Sequence, residues 1–216
     1  MKGLRVGLLQ GWFRRMSGPA AREAQARAAL ALSEAGAHVE ALTLDEAELG
    51  RAAAYLITNA ESAAFHLPRL RARAADFDPD TRHRFLAGAL LPAAWVARAQ
   101  LVRRWWLERA LEAFRSFDLL LVPATPCPAP EIGAKEIELD GRSHPLRPSL
   151  GLLAQPFSCI GLPVATAPVF APGSMPIGVQ LVAPPWREAR CLAAAEALEA
   201  AGVSAAHPPQ RLAAAA

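Results

Sequence analysis

The chain has 216 residues, 53% of them hydrophobic, and a formal net charge of +3. That length and composition support a sizeable core, and so small a charge, with no basic stripe interleaved with aromatics, argues against a nucleic-acid partner. With no apolar run of about 18 charge-free residues and no signal-peptide core at the start, neither a membrane span nor a secretory leader is expected.

Three widely spaced cysteines, Cys127, Cys159 and Cys191, fit reduced thiols in a cytoplasmic protein rather than a disulfide framework. Residues 4–9, LRVGLL, read as a short buried strand. Gly18 and Pro19 open a helix over 20–35 with Ala24, Ala28, Leu32 and Ala35 on one face, small enough to lie close on a sheet. Gly36 stops it and residues 38–44 resume as a strand, so the first third reads as a parallel strand-helix-strand crossover. Gly7 and Gly11 lack the third glycine and the acidic partner of a dinucleotide fingerprint.

Residues 44–117 read as mostly helical. Asp45 is the expected cap of a helix that continues over 52–67, and Pro68 is expected to end or bend it. Asp78-Pro79-Asp80-Thr81 marks a second start, with Asp80 or Thr81 as cap and Phe85, Leu86, Ala89 and Leu90 as a buried stripe. Pro92 interrupts the hydrogen-bond ladder. A long helix over 93–117 then turns Trp95, Ala99, Val102, Trp106 and Leu107 inward, leaving Arg98, Arg103, Arg104 and Arg109 to a solvated face.

Residues 118–122 form a strongly apolar strand, and 123–130 are too rich in proline to be anything but an extended turn. Residues 135–147 alternate about an Asp140-Gly141 turn, which predicts a surface hairpin. Two further apolar runs, 162–169 and 177–182, read as core strands joined by turn chemistry at Ala171, Pro172, Gly173 and Ser174. Gly161 and Gly178 leave room for a close neighbour, and Gln180, an amide in an apolar strand, must find hydrogen bonds if buried. A helix over 187–201 stops at Gly202, and the tail 205–216, with two prolines and four closing alanines, is expected to be disordered.

The order Gly-Leu-Pro at 161–163, an apolar strand, a loop, then Met-Pro-Ile-Gly-Val-Gln-Leu-Val at 175–182 and a helix resembles the C-terminal half of amidase signature hydrolases. Residues 118–130, DLLLVPATPCPAP, are similar to the strand and proline-rich turn that precede that region in the family. The segment 76–103, with Gly88, Leu91, Pro92, Ala99 and Arg103, looks most like the carboxybiuret hydrolase branch. The family's serine nucleophile, second serine and lysine lie in an N-terminal half with a Gly/Ser-rich signature. These residues contain no such stretch, and the resemblance puts the first strand just after that half.

The resemblance implies an α/β fold, a mixed sheet flanked by helices, forming one domain over 1–204. It implies no cofactor and, for the complete enzyme, hydrolysis of a small amide or urea-like C–N bond. Taken alone, the chain is expected to be inactive, and its expected partner is an N-terminal amidase half or a second copy. Thr125, Phe157, Ser158, Cys159 and Ile160 would line the acyl side of the pocket. The tRNA amidotransferase relatives carry an acidic residue and an asparagine near the places held here by Leu152 and Ser158, which argues against an aminoacyl-tRNA substrate.

Each of these residues also has a plainer reading as packing or turn geometry. Cys127 or Cys159 could act as a nucleophile with His144 as base only if its thiol were activated, and a small inert hydrophobe is the simpler role. Five scattered histidines show no metal-ligand spacing. Asp76, Asp78 and Asp80 read as a helix entry rather than an acid/base pair. Two alternatives stay open: a non-catalytic binding or assembly subunit, and an enzyme with cysteine chemistry of its own.

Overall fold

The apolar runs that read as strands pair into one sheet. The structure, a computed structural model, describes residues 1–170 and 173–205. In chain order the elements are β1 (Arg5–Leu9), α1 (Trp12–Arg15), α2 (Pro19–Glu34), β2 (His38–Leu42), α3 (Ala47–Arg73), a 3-10 turn (Ala74–Asp76), α4 (Pro79–Ala89), α5 (Ala93–Ala113) and β3 (Leu119–Pro123). They continue with β4 (Glu136–Leu139), β5 (Arg142–Pro145), α6 (Leu146–Ser149), α7 (Gln155–Ser158), β6 (Val164–Val169), β7 (Ile177–Val182) and α8 (Glu188–Ala200).

The main sheet has the order β2-β1-β3-β7-β6, and β4-β5 form the separate hairpin about Asp140-Gly141. β1 runs parallel to β2 and β3, with Val6 opposite Val39 and Leu119, whereas β7 is antiparallel to both β3 and β6. The architecture is α/β, a mixed sheet flanked by helices.

Side chains alternate across each strand. Val6, Leu119, Leu121, Val179 and Leu181 join a core that includes Ala24, Ala28 and Leu32 of α2 and Ala194 and Leu198 of α8. Leu9, Leu120, Val122 and Val182 join a second core with Trp12, Phe13, Trp106 and Phe157. β3 is buried along its whole length, so its sequence is continuously apolar instead of alternating. Each such leucine or valine contributes about 1.5–3 kcal/mol relative to an exposed position, which makes β3 the strand on which both cores converge.

Several local expectations change on folding. Asp45 does not cap α3; its Oδ1 accepts the Trp12 N–H at 2.6 Å. Gly11, at φ 59°, makes this possible, because a Cβ there would sit 2.4 Å from that oxygen. α3 continues as helix through Pro68 to Arg73, and packing of α4 and α5 against it offsets the hydrogen bond the proline cannot donate.

The cap of α4 is Asp78, whose Oδ1 accepts from the Thr81 N–H at 2.9 Å, not Asp80 or Thr81. Pro79 explains the shift, since it fits the first helical position and puts the cap one residue earlier. The predicted stripe on α4 is also wrong: Leu86 and Leu90 are 45% and 83% exposed, and the buried residue is Gly88. A Cβ on Gly88 would lie 2.1 Å from the Asn59 carbonyl oxygen, so α4 meets α3 backbone to backbone.

On α5, Ala99 and Trp106 are buried as predicted but Trp95 is exposed. Ala35 is exposed too, just past the end of α2. Ala171, Pro172 and, beyond Ala205, the tail expected to be disordered fall outside the described residues.

Candidate active-site wall

Strand ends at the carboxyl edge of a sheet are where α/β proteins gather their functional loops, and here two buried glutamines fix those ends. Gln25 of α2 donates from Nε2 to the carbonyl oxygens of Leu9 and Leu121, both at 3.0 Å, holding the last turns of β1 and β3 together. Gln180 of β7 donates from Nε2 to Pro123 O at 3.0 Å and Leu153 O at 3.2 Å. The second amide therefore ties the end of β3, and the proline-rich turn that follows, to the segment leading into α7. Its hydrogen bonding was required by the sequence, whereas Gln25 is a residue that sequence reasoning misses. The signal was there: a lone amide among Ala21, Ala24, Ala28 and Ala29, all buried on α2.

Four of the five predicted pocket residues follow one another on α7 and the turn after it. Phe157 is fully buried, stacked on Phe13 with ring centroids 5.5 Å apart and planes 8° from parallel. Trp106 braces the same turn, its indole N–H donating to Pro156 O at 2.7 Å. Phe157 is thus enclosed in the second core beneath the segment. Ser158 is exposed, its hydroxyl donating to Gln155 O at 3.3 Å, and Ile160 is half-buried against the second core. Thr125 stands apart in the turn after β3, with its hydroxyl donating to Cys127 O at 2.8 Å.

Cys159 is half-buried. Its thiol donates to the carbonyl oxygens of Pro156 at 3.3 Å and Gly50 at 3.7 Å. Burial pushes this thiol up to about 11, against the opposing pull of the Arg103 charge. Burial also raises Cys127 and Cys191. Thiols that burial keeps protonated are not nucleophiles near neutral pH, so cysteine chemistry with His144 as base gains no support. Among the described residues no group of three or more His, Cys, Asp or Glu side chains could hold a metal ion. No single helix there is long and apolar enough to cross a membrane, and α4 and α5, which pass that test only as a pair, meet at 99°.

Helices lie on both faces of the mixed sheet, a proline-rich turn follows the central strand, and the antiparallel β6-β7 pair is entered through Gly161-Leu162-Pro163. The chain belongs to the amidase family, whose model matches residues 1–192. It is 48% identical over 205 residues to AtzE, the 1-carboxybiuret hydrolase subunit of Pseudomonas sp. (strain ADP), a match covering 94% of this chain and 44% of that protein. It is 32% identical over 173 residues to the fatty acid amide hydrolase of Oryza sativa subsp. indica, covering 79% of this chain and 28% of that one.

Among solved structures, an inhibitor-bound vestigial protein complex that reveals the evolutionary origins of an s-triazine catabolic enzyme matches with a TM-score of 0.87 at 48% identity. That match covers 94% of this chain and 44% of the other. A crystal structure of an amidase matches with a TM-score of 0.85 at 27% identity, over 93% and 46%. The chain thus spans less than half the length of these relatives.

Proposed function

We propose that these residues form the scaffold and one pocket wall of an amidase signature hydrolase that cleaves a small amide or urea-like C–N bond, and that they are inactive without the catalytic half. The observation that carries this reading is the 48% identity to the 1-carboxybiuret hydrolase protein over 94% of the chain, at 44% of that protein's length. In the complete enzyme the family serine attacks the carbonyl carbon and its proton passes through the second serine and the lysine to the leaving nitrogen. The C–N bond then breaks, and water releases the acyl group from the serine. Backbone N–H groups hold the oxyanion.

In this reading Thr125, Ser158, Cys159 and Ile160 form the acyl-side wall, with Phe157 behind them as a rigid support. The wall binds and orients, and the nucleophile comes from the N-terminal half. No metal or organic cofactor takes part. Residues 1–204 act as one unit, docked on an N-terminal amidase half or, failing that, on a second copy of the chain. Exposed Phe65 on α3, Leu90 just past α4, and Trp95 and Leu101 on α5 support a covered apolar surface. Free cysteines are consistent with a cytoplasmic setting.

The test is ammonia release from small amides and biuret-type substrates by the 216-residue chain alone and after co-expression with a Gly/Ser-rich amidase N-terminal half. The expected result is background turnover alone and activity, with better solubility, in the pair. Turnover by the chain alone that Cys159→Ala abolishes would overturn the reading, as would a chain that is monomeric and cooperatively folded without a partner and binds no dye for exposed apolar surface.

A further inference from the structure

The two parts of the wall come from distant places in the chain, and one side chain joins them. Gln180 of β7 lies opposite Val122 of β3 and is buried on the side of the sheet where Val182, Leu152, Leu153 and Phe157 pack. Its Nε2 donates both to Pro123 O and to Leu153 O, at 3.0 and 3.2 Å. Pro123 ends β3 and leads through Ala124 into the turn that carries Thr125, and Leu153 leads into α7 and residues 157–160. The first side is fixed again by the backbone, since the Ala124 N–H donates to Gly178 O at 2.7 Å and Pro126 O accepts from the Gly18 N–H at 2.8 Å. The second side has no such duplicate. Among the described residues, the bond from Gln180 to Leu153 O is the only hydrogen bond between the five strands of the main sheet and residues 146–160.

Apolar packing holds that segment against the second core, but it is non-directional, whereas a hydrogen bond fixes both a distance and an angle. Two acceptors on one nitrogen require two N–H groups. A primary amide has them; a hydroxyl or thiol has one hydrogen and a carboxylate none. A lysine ammonium has enough donors but would bury a charge, and asparagine is one methylene too short to reach both carbonyls. The spacing between the Thr125 turn and the turn 157–160 therefore follows from one glutamine amide, and in a shell that orients substrate a misplacement of about 1 Å is costly.

We propose that Gln180 is a positioning residue that sets the width of the acyl-side pocket by holding these two turns at a fixed separation. The proposal rests on the amidase reading, which makes the two turns parts of one wall. The test compares Gln180→Met, which keeps the side chain's length and removes both donors, with Leu198→Ala, which opens the core on the other face of the sheet and controls for lost stability. In the 216-residue chain alone, Gln180→Met should speed hydrogen exchange of the amides of residues 152–160 at least tenfold and iodoacetamide labelling of Cys127 and Cys159 several-fold. Gln180→Asn should give the same pattern, and Leu198→Ala should leave these rates unchanged. In the chain co-expressed with an amidase N-terminal half, Gln180→Met should narrow the ratio of kcat/KM between propionamide and hexanamide at least fivefold, through KM and with kcat within twofold, whereas Leu198→Ala should keep the ratio. Exchange and labelling that stay at the wild-type rates, or that rise equally in Leu198→Ala, would overturn the proposal, as would an active pair whose selectivity Gln180→Met does not move or moves through kcat alone. A wild-type pair without turnover would instead refute the amidase reading, and the rates in the chain alone would then decide whether Gln180 joins the two turns.

Discussion

Gly50→Ala tests how α3 and α5 meet beneath the α7 wall. A Cβ on Gly50 would lie 2.6 Å from Trp106 Cδ1 and 2.8 Å from its Cγ and Nε1. That ring is fully buried and cannot swing away without giving up its hydrogen bond to Pro156 O. Overpacking of this kind costs about 1–3 kcal/mol, and loss of the buried indole bond adds about 1–3 kcal/mol. Alanine's better helix propensity returns about 1 kcal/mol. A net loss of about 3 kcal/mol follows, within a span of about 1–5 kcal/mol, which in a chain of this size lowers Tm by about 6–12 °C at the middle of that span.

Urea unfolding followed by circular dichroism measures it, with Trp106→Phe and the double variant completing a cycle. The smaller ring relieves the clash, so the double variant should lose less than the sum of the two single ones, by about 1 kcal/mol. A neutral or stabilising Gly50→Ala with an additive cycle would refute the close approach of the helices.

Gln180→Leu keeps the apolar bulk but leaves Pro123 O and Leu153 O without their donor; it should cost about 2–3 kcal/mol in the same unfolding assay, and a loss no larger than that of an exposed glutamine changed to leucine would contradict the tie. Asp118 binds the Arg5 N–H at 3.0 Å and the Arg190 guanidinium at 3.2 Å. Partial burial raises its carboxyl pKa, but the Arg5 hydrogen bonds and the Arg190 charge outweigh that and hold it below the ordinary value. A depressed folded-state pKa gives stability that is fully present above the unfolded value, about 3.9, and is lost as pH falls through the folded one. The stability gap between wild type and Asp118→Asn should therefore be constant near neutrality and close in acid; a gap independent of pH would contradict this. Cys159, with its thiol raised to about 11, should alkylate on the order of 100-fold more slowly than an ordinary thiol at about pH 8, as mass spectrometry of iodoacetamide-treated protein would show; fast labelling would mean that the thiol is activated after all.

Periodicity and punctuation in the sequence determine the elements of this protein. The apolar runs at 118–122, 162–169 and 177–182, the Asp140-Gly141 hairpin and the Gly36 stop are local signals, and local backbone preference carries them intact into the fold. The spaced Gly-Leu-Pro and Met-Pro-Ile-Gly-Val-Gln motifs likewise carry the family, because they combine turn geometry with a buried strand. Gln180 could be read as a residue needing partners, since its neighbours in the strand are apolar.

What those partners are, and which surfaces meet, is decided only in three dimensions. Asp45 reads as a cap for its own helix yet serves Trp12, 33 residues earlier, because Gly11 lets the backbone come within reach. Gly88, between the residues Leu86 and Ala89 of the expected stripe, is the contact between α4 and α3, because only the absence of a Cβ lets those backbones touch. Of the predicted wall, the turn 157–160 is contiguous in sequence, but Phe157 faces the core because Phe13 and Trp106 come from distant elements to enclose it. The cleft beside Arg51 has no sequence signature, since its walls come from α1, α3, the hairpin and α6. Hydrogen-bond partners and burial belong to pairs of residues far apart in the chain, and the chain order does not encode which pairs will meet.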